Sequence, residues 1–218
     1  MKEHPILFNG EMVLAILAGR KTQTRRICKP LLGATAVADV YHRPDGLFIG
    51  THLKVGLGCG ITQPFPSLIG LPGDRMWVRE TWGIDCTCGS ESESDFDHST
   101  YCAHFRCDIT DPLAIQSWAG KWHPSIHMPH KYSRITLEIT DVRVQRLQDL
   151  TEEDAEEEGI DTWHDFPNHR NYPDGECNCG DFPSSDRFSW LWDSINVKRC
   201  PWSSNPFVWA LTFKMVKP

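Results

Sequence analysis

The chain has no run of about 18 apolar residues, so no membrane-spanning helix is expected. Lys2, Glu3 and His4 stand where a secretory leader would carry its apolar core, which predicts a cytoplasmic protein. There is no phosphate-binding G-x-x-x-x-G-K-[ST] loop, no G-x-G-x-x-G and no G-x-S-x-G elbow. Those absences argue against nucleotide hydrolysis on a P-loop, Rossmann redox chemistry and α/β-hydrolase catalysis. The H-x-E and P-C-x-x-C pair of zinc deaminases is missing too. No internal repeat occurs. Positive charge is short, with 22 Lys plus Arg against 29 Asp plus Glu and a net charge of −7. A generic duplex-binding protein is usually basic, so that class starts weak.

What is present suits a folded core. The 218 residues are 40% hydrophobic and 23% charged, enough for one domain carrying long insertions. With 15 Pro, 16 Gly and 9 Trp, many turns and short elements are expected. The 9 cysteines are odd in number, so they cannot all pair within one chain. In a reducing compartment, close cysteine pairs favour metal over disulfide.

Met12, Val13, Ile16 and Leu17 form one apolar stripe, which predicts a helix over 11–18 with Gly19 as its stop. The basic run Arg20, Lys21, Arg25 and Arg26 follows, interleaved with Thr22 and Thr24. Residues 31–66 are Gly-rich and weakly patterned. Pro72-Gly73-Asp74 reads as a turn ahead of a strand over 75–82. A second strand is expected over 133–144. Thr151-Glu152-Glu153-Asp154 resembles a capping box, opening a helix that ends at Gly159. A further helix is expected over 187–196. Phe207, Trp209, Leu211, Phe213 and Met215 alternate, so the chain closes on a strand with one apolar face. Residues 83–125 and 161–186 lack apolar periodicity and read as two irregular insertions. Short strands with a few short helices predict an α+β fold built on a small, strongly curved sheet or barrel.

Three segments together resemble the activating-signal-cointegrator homology (ASCH) family. They are Ile16 to Arg26, with its Gly19-Arg20-Lys21-Thr22-Gln23-Thr24-Arg25 core, Pro72 to Glu80, and Ile139-Thr140-Asp141-Val142 followed by Leu150 to Gly159. The terminal strand fits the same pattern. The likeness covers roughly half the chain, and longer phage and prophage members look especially similar, including the segment from Trp122 to Pro129. It implies a PUA-like mixed β-barrel with short helices, interrupted here by both insertions. It also implies two functional classes. Many members are taken to bind RNA by analogy with the PUA fold. A small bacterial member is an amidohydrolase that removes the acyl group of N4-acetylcytidine. The positions matching its catalytic Lys, Thr and Glu are Lys21, Thr24 and Glu158.

The residues themselves suit that chemistry. Amide hydrolysis needs a nucleophile, a base and a site for the oxyanion. Thr24 offers a hydroxyl. A lysine crowded by cations in a dry pocket can lose its proton and act as a base, and Arg20, Arg25 and Arg26 are near neighbours of Lys21. Glu158 falls in the last turn of its helix, where the dipole disfavours full negative charge, which suits a proton carrier. Arg20, Arg25 or Arg26 could hold an oxyanion, sugar or phosphate. Glu80, on a Trp-rich strand, is a rival acid, with a salt bridge to a nearby Arg as its plainer role. By default, a basic run after a helix is a solvated cap and an acidic helix a solvated face. In a regular strand Lys21 and Thr24 would also point to opposite faces, so a turn or bulge after Gly19 is required.

The favoured function is therefore hydrolysis of an N4-acylated cytosine or cytidine, a small-molecule substrate requiring no catalytic cofactor. The alternatives are an RNA-binding module, for which weak RNA binding is expected, or a ribonuclease. Cys86-x-Cys88-Gly and Cys177-x-Cys179-Gly are two similar knuckles that could hold a structural zinc through four thiolates. Cys102, His104 and Cys107 form a rival set, and free thiols are the plainer reading. His123 and His127 are four apart, but Pro124 between them rules against a helical metal pair.

Overall fold

A computed structural model describes residues 1–33, 37–52, 61–84, 103–109, 121–160 and 183–216. Along the chain come β1 (Glu3–Leu7), α1 (Gly10–Leu17), β2 (Gln23–Ile27), β3 (Val37–His42), β4 (Leu47–His52), β5 (Phe65–Pro66) and β6 (Arg75–Arg79). Then follow β7 (Trp82–Ile84), β8 (Ala103–Phe105), β9 (Trp122–His123), β10 (Thr136–Arg146), α2 (Glu152–Glu157), α3 (Ser184–Asn196) and β11 (Phe207–Val216). The fold is α+β, dominated by sheet with few helices, as expected.

The expected barrel is instead an open sheet. Its strands run β1–β6–β10–β11–β2, and among the described residues no ladder joins β1 to β2. Only β1 and β6 run parallel; the other pairs are antiparallel. The sheet still curls enough to bring its edges together, because Arg26 on β2 donates from Nη2 to the carbonyl of Leu7 on β1 at 2.7 Å. One source of bending is visible: the β10–β11 register slips between Ile139 and Asp141, and such a bulge increases local twist. A barrel needs complete hydrogen-bonded closure, whereas here a side chain spans the gap.

β11 sits between two cores and is buried at every position from Phe207 to Leu211. Phe207, Trp209, Leu211 and Phe213 face the main core with Ile6, Val13, Met76 and Leu137. Val208 faces a second core with Leu147, Ala155, Phe188 and Trp192, which is how α2 and α3 attach to the sheet. A strand covered on both faces reads as a near-continuous apolar run.

The helices occur close to where their signals place them. Asn9 caps α1 by accepting from the Met12 amide at 2.8 Å, and Val13, Ala15 and Ile16 are buried. α3 begins earlier than its apolar pattern, at Ser184, whose amide donates to the Glu152 carboxylate at 2.6 Å. The strand expected over 75–82 is broken at Glu80 into β6 and β7. Two features differ from the sequence reading. The stretch 31–66 holds an antiparallel hairpin, β3–β4, turned by Arg43-Pro44-Asp45-Gly46 with Gly46 at φ 82°. Described parts of 83–125 are also regular, since β8 and β9 flank β7 in a three-stranded sheet. Strands of two or three residues are too short to show a period. Among the described residues no helix is long and apolar enough to cross a membrane.

Candidate active site

Lys21 reaches its position through a turn. α1 ends with Ala18 as C-cap, and Gly19 takes φ 74°, the left-handed conformation that favours glycine. The amides of Arg20 and Lys21 then both donate to the Ala15 carbonyl, at 2.9 and 3.1 Å. Regular strand starts only at Gln23. Lys21 thus lies ahead of the strand, and the two-residue alternation that would oppose it to Thr24 does not apply.

Glu158 comes from the other side of the sequence. Thr151 accepts from the Asp154 amide at 3.1 Å to open α2, Glu158 is its C-cap, and Gly159 ends it at φ 82°. A Cβ on Gly159 would meet Lys21 Cβ at 2.8 Å and Ala15 Cβ at 3.0 Å, so glycine serves both the backbone twist and the close approach. Across that contact Lys21 Nζ donates to Glu158 Oε2 at 2.6 Å and to the Glu158 carbonyl at 2.7 Å. Arg25 Nη1 donates to the other carboxylate oxygen at 3.1 Å. The side chains of Lys21 and Arg25 are fully buried and that of Glu158 is 3% exposed.

A second carboxylate backs the first. Asp154 is 2.9 Å from Arg25 Nη2 and accepts from Gln23 Nε2 at 3.0 Å and Arg143 Nη2 at 3.3 Å. Gln23 also donates to Glu157. Thus Gln23 and Arg25 face α2, while Arg26 turns towards Phe8, its guanidinium 5.2 Å from the ring centroid.

These neighbours set the charges. Burial pushes the Lys21 ammonium below the ordinary lysine value; Glu158 pulls the other way without cancelling it, and Arg26 and Arg25 add to the lowering. Burial works to raise the Asp154 carboxyl, but the Gln23 hydrogen bond and the Arg25 and Arg143 charges outweigh it and hold the group below the usual range.

Thr24, Arg25, Arg26 and Glu158 line one cleft of about 590 Å³. Four successive residues of β2 reach it because β2 is an edge strand, paired only with β11 among the described residues. Residues of β1 form one wall, and α3 supplies the apolar one through Phe188, Leu191, Trp192 and Ile195. Arg25 Nε is buried with no hydrogen-bond acceptor among the described residues. Lys21 lies behind Glu158 and does not itself line the cleft.

The remaining expected site residues lie apart. Arg20 is exposed and away from the cleft lining. Glu80 borders a separate cavity of about 270 Å³ with Thr81, Arg106 and Cys107. There Arg134 grips it at 2.9 and 2.8 Å, the plainer role foreseen for it. Burial, with Glu80 adding to it, pushes the Cys107 thiol up to about 12. Cys86, Cys88, Cys177 and Cys179 lie outside the described residues, as does Cys102 of the rival set.

Sequence reasoning missed Asp154, which pairs with Arg25, and Gln23, which bonds to Asp154. It also missed the α3 wall, whose residues adjoin a stretch without pattern. Asp154 was visible only as the fourth residue of a capping box, a signal for helix start rather than for chemistry. No family model, curated protein or solved structure matches the chain.

Proposed function

We propose that the protein is an ASCH-like domain of PUA type that hydrolyses the acyl amide of an N4-acylated cytosine base or nucleoside. The observation that carries this is the contact of Lys21 with Glu158, 137 residues away in sequence, at a cleft that Thr24 also lines. A buried lysine with a lowered proton affinity, hydrogen-bonded to a carboxylate, is a pair through which a proton can move.

In this reading the Thr24 hydroxyl attacks the acyl carbon and passes its proton through the Glu158 carboxylate to Lys21 behind it. The orphan Arg25 N–H stabilises the oxyanion. The C–N bond breaks as the departing amine takes a proton through Glu158. Water then cleaves the acyl-threonine ester, releasing the acid and restoring the hydroxyl. Incubation with N4-acetylcytidine, followed by chromatography, tests this directly. Cytidine and acetate should appear in equal amounts, and unchanged substrate would sink the reading.

The RNA-module and ribonuclease readings have less support. Base stacking needs open aromatic faces. The aromatic rings that line the cleft, Phe188, Trp192 and Trp209, are only 3%, 4% and 1% exposed. The proposed zinc on Cys86, Cys88, Cys177 and Cys179 would be structural, since four protein ligands leave no open position. Protein purified without chelator should contain one zinc per chain by elemental analysis.

A further inference from the structure

The chain carries a net charge of −7, yet this cleft is lined by Arg25, Arg26, Lys29 and Arg199 against the single carboxylate of Glu158. A cationic cleft in an acidic protein concentrates anions. The inner two cations are already committed: Arg25 to Asp154 and Glu158, Arg26 to the Leu7 carbonyl. The outer two are not. Lys29 and Arg199 are exposed and make no ion pair with another described residue.

Both outer cations line the cleft from fixed backbone. The amide of Cys28, a residue with no exposure, donates to Phe207 O at 2.9 Å, which pins Lys29 beside the start of β11. The turn after α3 is pinned by Trp192 Nε1 on the Cys200 carbonyl at 2.8 Å and by the Cys200 amide on Asn196 O at 2.9 Å, so Arg199 is held there. Ile27 and Trp192 pack in the same core cluster, which joins the two supports. Thr24 lies five residues from Lys29, at most about 16 Å along an extended strand.

We infer that the ligand of this cleft is a nucleoside monophosphate, its phosphate held between Lys29 and Arg199 while its base lies towards Thr24 and Glu158. A dianion suits one point charge and one guanidinium fork. The apolar wall at Leu191 and Ile195 flanks the sugar and base. A single pair of free cations matches one phosphate, whereas a polynucleotide needs a continuing basic track. On the α2 side the surface runs Glu152, Glu153, Glu156 and Glu157, which repels such a chain.

The inference rests on the deacylase reading only for which end takes the base. Its test is calorimetric titration with cytidine 5′-monophosphate and with cytidine, on the wild-type chain and on a Lys29→Ala/Arg199→Ala double variant. The monophosphate should bind about tenfold tighter or more, as expected for charge-assisted contacts. The double variant should lose that preference and keep its cytidine affinity. Equal affinities in the wild type, or a preference retained by the double variant, would overturn the inference. So would a single-stranded oligonucleotide binding more tightly than the monophosphate. Hydrolysis of N4-acetylcytidine and of its 5′-monophosphate, run in parallel, separates the two proposals. A monophosphate preference in binding without hydrolysis of either compound refutes the deacylase and keeps the phosphate site. Hydrolysis without that preference does the reverse.

Discussion

Of the three buried carboxylates among the described residues, Glu158 and Glu80 are each held by cations, and the kind of cation separates them. Glu158 is shared between Lys21 and Arg25 beside a cleft of about 590 Å³. Glu80 is gripped through both oxygens by Arg134, which also binds Asp108 at 2.7 Å. A guanidinium keeps its proton, and the two carboxylates beside Arg134 raise its proton affinity further against the opposing effect of burial. An amine can release its proton, and burial has already moved Lys21 that way. The same ingredients therefore give a fixed brace at Glu80 and a proton-carrying pair at Glu158.

The sharpest way to break this contrast is to remove the proton carrier. Glu158→Gln and Lys21→Met should each lower deacylation by roughly 10²–10⁴-fold, the usual worth of a general acid or base. Circular dichroism should show both variants folded. Retained full activity in either would remove that residue from the mechanism. Glu80→Gln should behave oppositely. It leaves Arg134, 23% exposed, without its buried partner, and should cost about 3 kcal/mol in urea denaturation. Its activity per folded molecule should be unchanged. A large activity loss in Glu80→Gln would make the brace part of the site.

The two clusters were unequally legible in the sequence. Lys21, Thr24 and Glu158 were named together through a resemblance, and the apolar stripes of α1 and β11 through their periods. The geometry that joins them was not readable. Gly19 was seen as a helix stop, but the paired amides on Ala15 O that carry Lys21 out of the strand register are a tertiary arrangement. The partner of Glu80 was foreseen only as some arginine, because Arg134 is 54 residues away and nothing in the sequence pairs them. The β3–β4 hairpin had a signal that was passed over: Pro44-Asp45-Gly46 is turn chemistry, and Val37-Ala38-Asp39-Val40 lacks the alternation that would have drawn attention to it. An open sheet and a closed barrel share one strand pattern, since closure depends on ladder contacts that hydrophobic alternation does not encode.

pH sharpens the contrast next. The folded Asp154 carboxyl is held below its unfolded value of about 3.9. Its stabilising contribution is then fully present above about pH 4 and is lost as pH falls through the depressed value. Wild-type stability should drop on that descent, and Asp154→Asn should flatten the slope, as read by denaturation midpoints across an acid series. Lys21 moves stability in the same direction, although in its case the neutral form is the one the fold favours. Its folded proton affinity is below the unfolded one, so the unfolded chain binds more protons in the window beneath about pH 10.4, and this group favours folding more as pH rises through it. Deacylation should rise with pH over the same window as Lys21 becomes neutral. An acid limb that persists in Lys21→Met, in whatever residual activity remains, would assign it to another group.

The smallest effect belongs to the cap of α2, and it tests whether the short helix matters to one cluster alone. Thr151 Oγ1 accepts from the Asp154 amide at 3.1 Å, satisfying one of the helix's free N–H groups. Thr151→Ala should cost about 1 kcal/mol. In a chain of 218 residues that corresponds to roughly 2–4 °C in the thermal midpoint. α2 supplies Asp154 and leads into Glu158, whereas Glu80 follows β6, Arg134 precedes β10, and neither bonds to a described residue of α2. The loss should therefore add simply to that of Glu80→Gln in a double variant, as for independent sites. Paired with Asp154→Asn it should fall short of the sum, because the cap and the carboxylate position the same turn. Equal additivity in both pairs would show that the cap acts on the fold at large and not on the Lys21–Glu158 pair.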